Sequence, residues 1–130
     1  MSVHPSVENL QRGYKAFGDG DMATLSEVIP ENAVWHVGGN NKLSGDYRGR
    51  DEVFGYFAKL MELSGGTFKA ELIHAVGDDQ FAVALQHSTG KANGREYDGT
   101  DVLVDRMDNG RAVETWIYVE DPAEFDQMFG

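Results

Sequence analysis

Beyond Gly65-Gly66 the hydrophobic period of the chain changes from three-and-four residues to two. Four runs follow, "TFKAELIHAV", "FAVALQHST", "REYDGTDVLVD" and "RAVETWIYVE", separated by "GDD", "GKANG" and "DNG". Short polar connections of this kind close β-hairpins. The second half is therefore expected to be an antiparallel four-strand meander. Such a sheet has an apolar face to bury, and the first half of the chain must cover it.

That first half reads as helical. Val7, Leu10, Tyr14 and Phe17 recur at three- and four-residue steps and form one stripe. Gly18 and Gly20 interrupt it, Asp21 suits the N-cap of a short second helix carrying Leu25, Val28 and Ile29, and Pro30 closes that helix. A short strand around Trp35 and a polar loop, "GGNNKLSGDYRG", come next. A third helix starts near Asp51, with Val53, Phe54, Phe57, Leu60 and Met61 as its stripe and Gly65-Gly66 at its end. "PAEFDQMFG" suits a terminal helical turn. The expected architecture is α+β, one domain over residues 1–130, with a twisted sheet wrapping the helices around a cone-shaped cavity.

Twenty-two acids face 11 Lys and Arg, a net charge of −11, which opposes binding to nucleic acid or an anionic membrane surface. No apolar run approaches the roughly 18 residues of a membrane span. "MSVHPSVENLQRG" lacks the basic start and apolar core of a signal peptide, so a cytoplasmic location is expected. The absence of cysteine removes disulfides, thiolate nucleophiles and Cys metal sites. The fitting partner is a neutral or cationic small molecule, or another protein.

"YKAFGDGDMATLSEVIPENAVWHV", "LSGDYRGRDEVFGYFAKL" and "DNGRAVETWIYVED" resemble the SnoaL-like branch of the nuclear transport factor 2 superfamily. Ketosteroid isomerase, scytalone dehydratase, limonene epoxide hydrolase and polyketide cyclases belong to that superfamily. The resemblance covers nearly the whole chain. It implies a cone-shaped α+β barrel with a hydrophobic ligand pocket between sheet and helices. It also implies a homodimer, with the convex sheet face as the usual interface. No organic cofactor is implied, and acid–base chemistry is implied where there is any. One fold hosts many reactions and also plain binding.

The candidate site residues follow from strand faces. Phe81, Val83, Leu85, His87 and Thr89 form the bulkier face of their strand and are expected to point at the helices, which puts His87 in the cavity as acid or base. Asp101 alternates with Leu103, and Val102 with Val104, so periodicity leaves its direction open. The resemblance implies an oxyanion-donor role for Asp101, as for the neutral carboxylic acid of ketosteroid isomerase. An imidazole-orienting role beside His87 and a solvated aspartate next to a turn at Gly99 are the alternatives. Tyr14 lies on the helix that carries the isomerase's catalytic tyrosine, one residue out of register, and is read as a second donor or a packing residue. The isomerase's base aspartate has Val37 in its place, so that enzyme's mechanism is not carried over.

Trp35, Phe54, Phe57, Met61, Leu85 and Trp116 are candidate pocket walls, with Trp116 also suited to the convex face because it sides with Glu114 and Tyr118. His36 faces opposite to Trp35 unless Gly38-Gly39 form a bulge. His74 sides with Phe68, Ala70 and Leu72 as a core or rim histidine, and His4 is placed in a frayed terminus. No metal is expected: no histidine pair has ligand spacing, and a site from His36, His74, His87 and Asp101 has no spacing to support it. The expected function is a cofactor-independent acid–base enzyme of isomerase, cyclase, dehydratase or epoxide-hydrolase type. The alternative is a non-catalytic ligand-binding or dimerisation module.

Overall fold

The computed structural model describes residues 3–130. Helices α1 (Pro5–Asp19) and α2 (Met22–Val28) precede strands β1 (Val34–Val37) and β2 (Gly45–Arg48). Helix α3 (Arg50–Leu63) leads into β3 (Lys69–Gly77), β4 (Phe81–Ala92), β5 (Arg95–Asp108) and β6 (Arg111–Tyr118), and α4 (Pro122–Met128) ends the chain. The six strands form one sheet in the order β2-β1-β6-β5-β4-β3, left open at β2 and β3. All neighbours are antiparallel except β1 and β6, which run parallel. No helix among the described residues is long and apolar enough to cross a membrane.

Local chemistry sets the boundaries. The side chain of Asp21 accepts the Thr24 N–H at 3.1 Å and caps α2. Asn93-Gly94 and Asn109-Gly110 both take positive φ at each residue, as two-residue hairpins matched to strand twist require. Two local expectations are corrected. His4 is not frayed: its Nδ1 accepts the Ser6 N–H at 3.1 Å and caps α1, with Pro5 in the first turn. Part of the polar loop is strand β2, whose Gly45, Asp46 and Arg48 are exposed, so an edge strand with one half-buried residue, Tyr47, leaves no alternation to read.

The larger correction concerns the faces of the sheet. In β4 the buried set is Ala82, Ala84, Gln86 and Ser88, while Phe81 and Leu85 are exposed and His87 is half-buried on their side. Helix α1 packs against β3 and β4, and Leu10 of α1 shares a core cluster with Ala82 and Ala84. A helix that close to a sheet leaves room only for small residues beneath it. Bulk therefore marks the outer face here. In β3 a register shift between Leu72 and His74 breaks the alternation, so Ala75 rather than His74 follows Leu72 inward and His74 is exposed.

Candidate active site

A cavity of about 110 Å³ lies between the inner sheet face and the helices. That is somewhat below the roughly 150 Å³ of an apolar cavity known to take up benzene. Leu10, Phe17, Trp35, Phe57, Leu103 and Ile117 are among its apolar walls. Trp35 meets Phe57 edge-on, with ring centroids 5.1 Å apart. A second hollow, of about 160 Å³, sits beside α4 and the β1–β2 loop, and shares Tyr56, Ile117, Val119 and Phe125 with the first.

The carboxyl groups of the cavity both come from β5. Its inner row is Tyr97, Gly99, Asp101, Leu103, Asp105 and Met107, so two aspartates four residues apart point the same way. Asp101 is 1 % exposed and Asp105 4 % exposed. Oδ1 of Asp101 accepts the Tyr97 hydroxyl at 2.6 Å and the Glu120 N–H at 3.0 Å. Oδ1 of Asp105 accepts the hydroxyl of its cross-strand neighbour Thr115 at 2.6 Å. Among the described residues no fully buried side-chain nitrogen or oxygen lacks a partner. The Oδ2 atoms of both aspartates have none, so they open onto the cavity that both residues line.

Tyr14 reaches in from α1 and donates its hydroxyl to Gln86 Oε1, and Gln86 Nε2 donates to Ser88 Oγ at 2.8 Å. Burial pushes the Tyr14 phenol up, with the charges of Asp105 and then Asp101 adding to it, so it stays a proton donor at any physiological pH. Burial likewise raises Tyr56, aided by Tyr47 and Asp101. Burial pushes the Asp105 carboxyl up to about 6, against the opposing pull of the Thr115 hydrogen bond. Apolar walls, phenol donors and a carboxyl poised near neutrality can move a proton.

Gly99 holds part of this arrangement. It sits within β5 rather than at a turn, and the Tyr97 ring lies across it on its way to Asp101. A Cβ at that position would meet the Tyr97 hydroxyl oxygen at 2.4 Å. Gly99→Ala is therefore expected to swing Tyr97 away and remove a buried hydrogen bond, lowering stability by about 1–3 kcal/mol in urea unfolding. An unchanged unfolding midpoint would contradict this role for glycine.

Of the residues singled out from the sequence, Tyr14, Asp101, Trp35 and Phe57 line the cavity. Phe54 packs behind Phe57, and Met61 packs against the neighbouring core cluster; neither is on the wall. His87, Leu85 and Trp116 lie on the outer face, contrary to the expected pocket positions. His87 pairs with Thr100, one residue from Asp101, so the two side chains take opposite faces. Its Nε2 lies 2.7 Å from Asp98 Oδ1, and no His87–Asp101 pair forms. Leu85 is 39 % exposed. Trp116 stacks on His36 with ring centroids 5.4 Å apart. The His36 ring nitrogens lie 2.7 and 2.6 Å from Asp46 and Glu114, whose carboxylates hold its pKa above the usual histidine value. Among the described residues no three His, Asp or Glu side chains come together to hold a metal, so His36, His74, His87 and Asp101 do not form such a site.

Asp105, Gln86, Tyr56 and Thr115 escaped the sequence reading. The signal for Asp105 was present, since it shares the parity of Asp101 and Leu103.

The comparisons with known proteins fit this geometry. A family model described as a SnoaL-like domain matches residues 10–115. Bal32a, from a soil-derived mobile gene cassette, is 34% identical, with a TM-score of 0.91 over 97% of each chain. An NTF2-like protein of Burkholderia pseudomallei shares the fold with a TM-score of 0.86 at 21% identity, over 98% of each chain. IdmH of Streptomyces antibioticus, a candidate polyketide cyclase, superposes with a TM-score of 0.75 at 20% identity, over 95% of this chain and 98% of its own. The chain belongs to the SnoaL-like domain family.

Proposed function

We infer that this SnoaL-like domain is a cofactor-independent acid–base enzyme of isomerase or cyclase type, acting on an apolar small molecule. The observation that carries this reading is Asp105: buried, raised to about 6, and with one oxygen open to an apolar cavity. Near pH 7 such a carboxyl is mostly ionised yet readily accepts a proton, which suits a general base. In the scheme it takes a proton from a carbon beside a substrate carbonyl. The electron pair moves to the carbonyl oxygen, and the Tyr14 hydroxyl, turning from Gln86, donates a hydrogen bond to it. The protonated Asp105 then returns the proton to another carbon in an isomerisation. In an aldol-type closure the new carbon–carbon bond forms instead, and the proton goes to the acceptor oxygen.

A direct test follows hydrogen exchange into a panel of apolar cyclic ketones in D2O by NMR. The wild type is expected to speed α-exchange, the His87→Ala variant to match it, and Asp105→Asn to lose it. Exchange that survives Asp105→Asn would overturn the assignment. A second reading, a non-catalytic binding module, is favoured by the absence of a His–Asp pair in the cavity among the described residues. It predicts ligand-induced shifts in cavity resonances without exchange of any ligand.

The outer sheet face supports a homodimer. Val76, Val83, Val104, Trp116 and His36 line up across five strands, and Leu85, Val102 and Tyr118 form the next row. Val76 is 55 % and Tyr118 58 % exposed, a broad apolar surface for a solvated sheet. Leu85→Asp is expected to shift the protein from dimer to monomer in sedimentation velocity without unfolding it. A wild type that sediments as a monomer would contradict the dimer.

A further inference from the structure

The cavity is apolar but its charge is one-sided. Among the described residues its ionisable lining groups are Asp101, Asp105, Tyr14 and Tyr56, with no Lys, Arg or His. Every hydrogen-bond partner of the two carboxylates is neutral: a tyrosine, a threonine and a backbone N–H. The chain as a whole carries the same sign, at −11, which favours encounter with cations over anions.

The open atoms add a second, independent observation. Tyr56 is 5 % exposed and its hydroxyl makes no hydrogen bond among the described residues, so it opens onto one of the two hollows that Tyr56 lines. The cavity thus offers two free carboxylate oxygens. Its unmet demand is for donors and positive charge. A ligand carboxylate or phosphate would meet only neutral donors, with no positive charge among the described lining residues to offset its desolvation.

The two aspartates cannot both hold one small group. Four residues along a strand separate their Cα atoms by roughly 13 Å. Asp105 is the proton-transfer group of the proposed function. Asp101, anchored through Oδ1 by Tyr97 and Glu120 and free at Oδ2, is the rigid one. We propose that the cavity takes an apolar amine, whose ammonium group is bound by Asp101 Oδ2 while its hydrocarbon body fills the space between Trp35, Phe57 and Leu103. This rests on the assignment of the cavity as the active site and deepens it by naming the substrate class. The recognition needs no turnover.

The test is a titration of the folded protein with three ligands of one shape: benzylamine, benzyl alcohol and benzoate, near neutral pH, followed by NMR. The amine is expected to bind about tenfold tighter than the alcohol, since both can donate to the carboxylate but only the ammonium adds an attraction between opposite charges. Benzoate is expected to bind weakest of the three. Asp101→Asn should abolish the preference for the amine over the alcohol, while Asp105→Asn keeps it. Equal affinities, tighter binding of benzoate, or an amine preference that survives Asp101→Asn would each overturn the proposal. Should Asp101→Asn fail to fold, the wild-type carboxyl carbon resonances decide. Benzylamine must shift Asp101 more than Asp105, and the reverse overturns the anchor. Because the readout is binding, its failure leaves the Asp105 proton chemistry standing, and absence of ketone exchange leaves the amine preference standing.

Discussion

At about pH 8 the Asp105→Asn variant is expected to melt several degrees above the wild type while losing about 10²–10⁴-fold in turnover. The two effects share one cause. Burial raises the Asp105 carboxyl from an ordinary 3.8 to about 6, so the folded state holds this proton more tightly than the unfolded chain does. Below about pH 4 the group is protonated in both states and carries no penalty. As pH rises through 4 to 6 the unfolded chain ionises first, and the folded state loses roughly 3 kcal/mol relative to it. Asparagine keeps the size and the Thr115 partner but never ionises, so the penalty vanishes. Thermal melts of both proteins at about pH 4.5 and pH 8 check the sign: the gap is small at the lower pH and reaches its full size at the higher. A variant that is less stable than wild type at the higher pH would contradict it. The same substitution removes the proton acceptor, so stability gained and activity lost belong together, as they do at many active sites.

Tyr14→Phe is expected to lower kcat by about 10²–10³-fold with little change in KM, the loss typical of removing one oxyanion donor. The ring itself packs against the cluster that contains Leu10, Ala84 and Leu103, and phenylalanine preserves that contact. The hydrogen bond to Gln86 is lost, which lowers stability by about 1 kcal/mol. The pH profile should not move, because the phenol is held well above its ordinary value and stays protonated throughout. Steady-state kinetics over pH separate the roles: Asp105 sets the acid limb, and Tyr14 sets the height. An unaltered kcat would remove Tyr14 from the chemistry and leave it as a packing residue.

The helices and the meander were legible because long stripes and Asn-Gly turns are local signals. Val7, Leu10, Tyr14 and Phe17 can share a stripe only on a helix, and two residues of positive φ at Asn93-Gly94 permit little but a tight hairpin. Which face of a strand points inward is not local. In β4 it depends on how closely α1 approaches, and that favours Ala82 and Ala84 over Val83 and Leu85. One reversed face moved His87 out of the cavity and brought Gln86 in. One extra residue in β3 did the same to His74. Asp105 shares the parity of Asp101 and Leu103, but the direction of that row was open from periodicity alone. It reads as a surface acid beside Arg106 until the partner Thr115 and the buried row of β5 are placed around it. Gly99 resembles a turn residue, and its use as a saddle for Tyr97 emerges only when the ring is in position.

The central claim is that Asp105 titrates in the neutral range inside an open apolar cavity. The measurement that tests it most directly needs no substrate: a carbon-detected NMR titration of the aspartate carboxyl resonances, with Asp105 assigned by its disappearance in Asp105→Asn. A midpoint of about 6 is predicted. A midpoint at the ordinary 3.8 would contradict the account, because a fully ionised carboxylate of ordinary acidity is a weak base for the chemistry assigned to it.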